Sequence, residues 1–153
     1  MSARNINEEI IEDLYSEALL LADDARAVFD LRIGEKGDNA SDSLKIALSI
    51  EGLRTTTRVM HVLAWLLNQR AYLAGELSAA QLARHNELPE ERSADPANLE
   101  ALEPETRALI RESEDLHARV ARLDREMRRA EQPADAPVQA MQDRLAQAFG
   151  AGS

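Results

Sequence analysis

The sequence predicts an all-α protein: an antiparallel bundle of three long helices plus a short helix, followed by a flexible C-terminal tail. Three observations predict it. Apolar residues recur at 4-3-4-3 spacing in three separate stretches, strand-like alternation is missing, and proline stays out of the interior of each stretch. With 153 residues, 44% of them apolar, the chain has enough material for one domain with a real core. The bundle is expected over residues 1–131 and the tail over 132–153.

The first helix is expected from about Asn7 to Ile33. Asn7 can cap it, Glu8 and Glu9 sit at its positive end, and Gly34 or Gly37 can end it. Its seam is Ile10, Leu14, Ala18, Leu21, Ala25 and Val28, widened by Ile11, Ala22 and Phe29. A short loop, 34–40, leads to Ser41, which caps a central helix reaching to about Ala74. That helix is apolar over more than half its circumference, whereas contact with one neighbour needs an arc of only about 100°.

Two stripes of the central helix read as bundle seams. One is Ile46, Ile50, Leu53, Thr57, Met60, Ala64, Leu67, Ala71 and Ala74; the other is Leu48, Thr56, Val59, Leu63, Leu66 and Leu73. The remaining arc carries Glu51, Arg54, Arg58, His61, Trp65 and Tyr72. Two aromatics on a polar arc are unusual in a chain with five. This arc either packs against a loop or subunit partner or forms a specific binding surface, and it is the candidate dimer or partner surface.

Ser78 is expected to cap a short helix, 79–87, anchored by Leu82. Pro89 to Asn98 reads as a linker, with two prolines and dense charge. The last long helix, 104–131, has Pro104 in its first turn and the seam Leu109, Ser113, Leu116, Val120, Leu123 and Met127. Its arginines alternate with acids at three- and four-residue spacing, as on a solvated helix face. Pro133 and Pro137 end it. Beyond them Val138, Met141, Leu145 and Phe149 make a short amphipathic segment, which either folds back or serves as a helix-in-groove ligand for another protein.

Net charge is −10, from 18 basic and 28 acidic residues. Such a chain is repelled by phosphates, which disfavours nucleic acid and anionic membrane as partners. The acidity is concentrated: residues 1–40 carry four basic and ten acidic side chains, and residues 89–103 carry one and five. Attraction between the acidic first helix and Arg54 and Arg58 is an expected orienting term. There is no cysteine, which excludes disulfides, thiolate catalysis and cysteine-ligated metal. The polar start argues against a signal peptide, and the longest strongly apolar run, 59–67, is too short to span a membrane.

Little in the chain suggests chemistry. His61, His85 and His117 are isolated from any ligand spacing, and no phosphate loop or nucleophile motif occurs. No cofactor or metal is expected, and no catalytic residue is assigned. An enzyme reading rests only on Glu51, Arg54 and Arg58, residue types that all-helical chorismate mutases also project from long helices.

The segment Ser49–Glu76, above all Thr56-Thr57-Arg58, Met60-His61 and Ala64-Trp65-Leu66, resembles the central-helix signature of the alphaproteobacterial RcdA family, named for the regulation of CtrA degradation. Leu14–Asp30 is similar to that family's first helix. The resemblance implies a three-helix-bundle homodimer without catalytic activity, cytoplasmic and placed at the cell pole. It further implies an adaptor that joins a ClpX–ClpP protease primed by a CpdR-like protein and helps deliver cell-cycle transcription regulators, with the C-terminal extension contributing to partner binding. Two other readings stay open: a dimeric scaffold that sequesters a regulator without a protease, and a small helical enzyme or metabolite sensor.

Overall fold

The computed structural model describes residues 3–36, 41–131 and 136–150. Among them every regular element is an α-helix: α1 (Ala3–Lys36), α2 (Asp42–Leu73), α3 (Ala79–His85), α4 (Pro96–Ala101), α5 (Pro104–Glu131) and α6 (Ala136–Gly150). The chain divides into two compact units, Met1–Arg119 and Val120–Ser153, with the division inside α5. No described helix is long and apolar enough to cross a membrane.

Local chemistry explains the element ends. Ser41 caps α2, its hydroxyl accepting from the Leu44 amide at 3.2 Å. Gly75, at φ +80°, lets the chain turn out of α2 while the Glu76 amide reaches the Ala71 carbonyl at 2.8 Å. Ser78 and Gln81 form a reciprocal capping box at the start of α3. Asp95 caps α4, with Pro96 in the first turn where its missing N–H costs nothing. The first helix begins at Ala3 rather than at Asn7 and passes through Gly34; Gly37 and the rest of the expected loop, 37–40, lie outside the described residues.

Within the first unit, the core side of α1 is Ile11, Ala18, Leu21, Ala25 and Phe29. Ile10 and Leu14, expected in that seam, stand at its edge. On α2 the buried side includes Leu48, Val59, Leu63 and Leu66, the second of the two expected stripes. Thr56, in the same stripe, is exposed and donates to the Gly52 carbonyl at 2.8 Å. On α5, Leu109, Ile110, Ser113 and Leu116 are buried.

Helix direction follows from paired contacts. Arg70 on α2 meets Glu12 on α1 at 2.6 Å, while at the other end Gly52 lies against the Phe29 ring, so α1 and α2 are antiparallel. Arg32 meets Glu103 at 2.8 Å and Glu105 at 3.0 Å, while Arg119 meets Glu17, so α1 and α5 are antiparallel too. It follows that α2 and α5 run in the same direction. This corrects the expectation of a wholly antiparallel set: residues 75–103 do not make a short reversal but carry the chain back along α2 before α5 begins.

Gly52 is a point of close approach between α1 and α2. A Cβ there would stand 3.1 Å from the Phe29 ring, which is itself buried. Glycine in a helix interior is disfavoured by about 0.5–1 kcal/mol, so close packing is what it supplies. Gly52→Val is expected to lower stability by about 1–3 kcal/mol through overpacking, read as a fall in the urea midpoint at unchanged slope.

Candidate functional site: a strapped groove and an uncharged outer stripe

Residues 86–95, between α3 and α4, form an extended strap over one side of α2. Four contacts set its register. Asn68 Nδ2 donates to Asn86 Oδ1 at 3.1 Å, His61 Nδ1 meets Glu91 Oε1, Arg58 donates to the Arg92 carbonyl at 2.8 Å, and the Asp95 amide donates to Glu51 Oε1 at 3.3 Å. The strap thus runs antiparallel to α2. From 51 to 68 a helix rises about 26 Å, and ten residues of extended chain reach about 30 Å, so the match requires a nearly stretched segment. The second wall is α5, where His117 Nε2 donates to the Pro89 carbonyl at 2.9 Å.

The groove floor is polar and buried. Arg58 is 1% exposed and spans three elements: one guanidinium nitrogen donates to Ser113 Oγ on α5 and another to the strap carbonyl, both at 2.8 Å. Ser113 donates its own hydroxyl hydrogen bond to the Ile110 carbonyl at 2.6 Å, which leaves an oxygen lone pair to accept from Arg58. Among the described residues no carboxylate lies within ion-pair distance of Arg58. Glu51 is fully buried, and its Oε1 accepts from Arg54 and Asn98, each at 3.0 Å, as well as from Asp95. Glu51 Oε2 and the buried Thr55 Oγ1 have no hydrogen-bond partner in the described structure.

The residues expected to form a partner surface are therefore placed differently. Glu51, Arg58 and Trp65 are buried inside this chain, Arg54 and Tyr72 are half-buried, and His61 is partly covered by Glu91. The strap and α5 bring Glu51, Arg54, Arg58 and His61 together on one polar face. Of that arc, Arg54, His61 and Tyr72 keep partial exposure. The reason for the different placement is the return path of the chain, which places the acidic linker on the cationic side of α2. It is this linker, and not the acidic first helix, that meets Arg58; α1 instead supplies Glu12 to Arg70 and Glu17 to Arg119.

The opposite side of α2 is exposed and apolar. Ile46 is 58% exposed, Leu53 70%, Met60 57% and Leu67 47%, with Ile50 on the same line. These belong to the stripe expected to be a bundle seam, and they face solvent instead. Between Lys45 and Arg70 every charged side chain of α2 lies on the strapped side. At its far end the stripe runs into a recess lined by Glu8, Glu12, Leu67, Arg70 and Ala71. There Arg70 stacks over the Tyr15 ring at 4.3 Å, and its hydrogen bond to Glu12 raises the guanidinium above its ordinary value.

In the second unit, α6 presents Met141, Leu145 and Phe149 on one face, with Phe149 81% exposed. The side chain of Val138 and the tether residues 132–135 lie outside the described residues. Among the described residues no group of three His, Asp or Glu side chains is placed to hold a metal ion.

Sequence reasoning missed the strap side of the groove, Glu91, Asp95, Asn98 and the Arg92 carbonyl, and the part His117 plays on α5. A signal was present in the five acids of residues 89–103, set in a linker long enough to run the length of a cationic helix face.

A family model described as "Protein of unknown function (DUF1465)" matches residues 2–149. The chain belongs to the DUF1465 family. No curated protein and no solved structure matches it. For this member of the DUF1465 family, Arg58→Ala is expected to cost about 2–4 kcal/mol, since two charge-assisted bonds and the packing of the stem are lost together. Arg58→Lys, which keeps the charge but not the fork, is expected to lose about half as much. Urea unfolding of the three chains measures both.

Proposed function

We propose that this protein is a non-enzymatic adaptor that works through protein surfaces. The observation that carries the reading is the outer face of α2, exposed from Ile46 to Leu67 without a charged side chain in a chain that is 30% charged. An apolar stripe of that length on the surface marks a protein contact. Its symmetry favours a homodimer. In an antiparallel pairing about Thr57, Ile50 lies opposite Ala64, so large meets small along the seam, with Leu53 and Met60 flanking the axis. An uncharged seam also suits two copies that each carry −10.

The resemblance of Ser49–Glu76 to the RcdA central helix supports the finer reading: a three-helix-bundle dimer that helps deliver cell-cycle regulators to a ClpX–ClpP protease primed by a CpdR-like protein. Its expected place is the cytoplasm, at the cell pole. The exposed apolar face of α6 supports a second contact, made by a short helix lying in a partner's groove. Two weak surfaces on one chain hold cargo and protease together by effective concentration, on the millimolar scale for a short linker.

Leu53→Glu with Met60→Glu is expected to convert the dimer to a folded monomer in sedimentation analysis, because both side chains are exposed in the single chain and add nothing to its core. An unaltered dimer would overturn the assignment of this face. Deleting residues 133–153 is expected to abolish capture of the primed protease while leaving the dimer intact; unchanged delivery by the truncated chain would rule out a role for α6. A pull-down dominated by one regulator, with ClpX absent, would replace the adaptor with a sequestering scaffold.

A further inference from the structure

We propose that the groove between α2 and α5 is a binding groove for an extended acidic segment of a partner protein, and that the strap is its resident, displaceable occupant. This extends the adaptor reading by giving one partner surface a chemistry.

The strap is held as a bound peptide is held. Three of its contacts use main-chain atoms: the Pro89 and Arg92 carbonyls accept from His117 and Arg58, and the Asp95 amide donates to Glu51. Such contacts are open to any extended segment in the same register, as in peptide recognition along a groove. Apolar anchoring is slight. Across the extended segment 86–95, Ala94 is the one fully buried apolar residue and Leu88 is half-buried, while Glu87, Pro89, Glu90, Arg92 and Ser93 are exposed. Segments with few buried apolar contacts open at free energies far below global unfolding.

The occupant also leaves the floor incompletely satisfied. Glu51 Oε2 and Thr55 Oγ1 are buried without a partner, and the Arg58 cation is met by two neutral acceptors. A segment that places a carboxylate against Arg58 and an amide or hydroxyl donor over Glu51 Oε2 satisfies this floor better than the strap does. The walls accept acid as well: the strap's own Glu91 is taken up by His61, with His117 opposite on α5, while Arg54 is already paired with Glu51. The apolar outer stripe offers none of this chemistry, so the two faces of α2 take different partners.

The probe is a labelled synthetic peptide copying residues 84–99, added to the full-length chain and to a full-length variant in which residues 87–94 are replaced by alternating glycine and serine. The variant is expected to bind the peptide saturably, with a Kd at least tenfold lower than the intact chain, and Arg58→Lys in the variant is expected to weaken that binding at least fivefold. Equal binding by both chains, or none by a variant whose helical circular dichroism matches the intact protein, overturns the proposal. If the variant does not fold, hydrogen exchange on the intact chain decides. The Asp95 amide is expected to exchange at least a hundredfold faster than the Val62 amide in α2, and equal rates overturn the proposal. Neither experiment involves a protease or the dimer, so this inference and the adaptor reading can fail separately.

Discussion

One buried guanidinium organises the first unit. Arg58 points from the middle of α2 to Ser113 on α5 and to the main chain of the strap, so a single planar fork determines the spacing of three elements. A charge without water must have its donors met, and here the acceptors are a hydroxyl and a carbonyl. Those acceptors come together with α5 running in the same direction as α2. That in turn requires residues 75–103 to travel the length of α2. The parallel course of α2 and α5, the extended strap and the short helix α4 are parts of one solution.

The same solution decides which faces of α2 are available to other molecules. Its strapped side is polar, buried and occupied. Its outer side is apolar, exposed and free of charge from Ile46 to Leu67. An interior lined by Glu51, Thr55 and Arg58 beside an exterior lined by leucine and methionine inverts the usual arrangement. The inversion is tolerated because the polar groups are mostly hydrogen-bonded, while the apolar ones stand exposed. The helix therefore divides two chemistries, hydrogen-bonded and charged on one side, apolar on the other.

Much of the secondary structure was legible because it depends on local chemistry. Ser41, Ser78 and Pro104 mark helix starts through caps and a missing N–H, and Gly75 marks an end through a positive φ. The grouping of Glu51, Arg54, Arg58 and His61 on one arc was legible too, since helical periodicity alone requires it. What covers that arc was not legible. Ile46–Leu67 and Glu51–Trp65 both follow seven-residue spacing, and a periodic pattern does not state which stripe faces inward.

Periodicity and capping thus determined that this chain is helical, where α2, α3 and α5 begin, and which side chains share a face, because those depend on neighbours within a few residues. The tertiary structure decided which face became interior. That choice turns on contacts between Arg58, Ser113 and Arg92, residues 34 and 55 positions apart in sequence. Only the path of the linker brings them together, and the hydrogen-bonding demand of one buried charge is what holds it there.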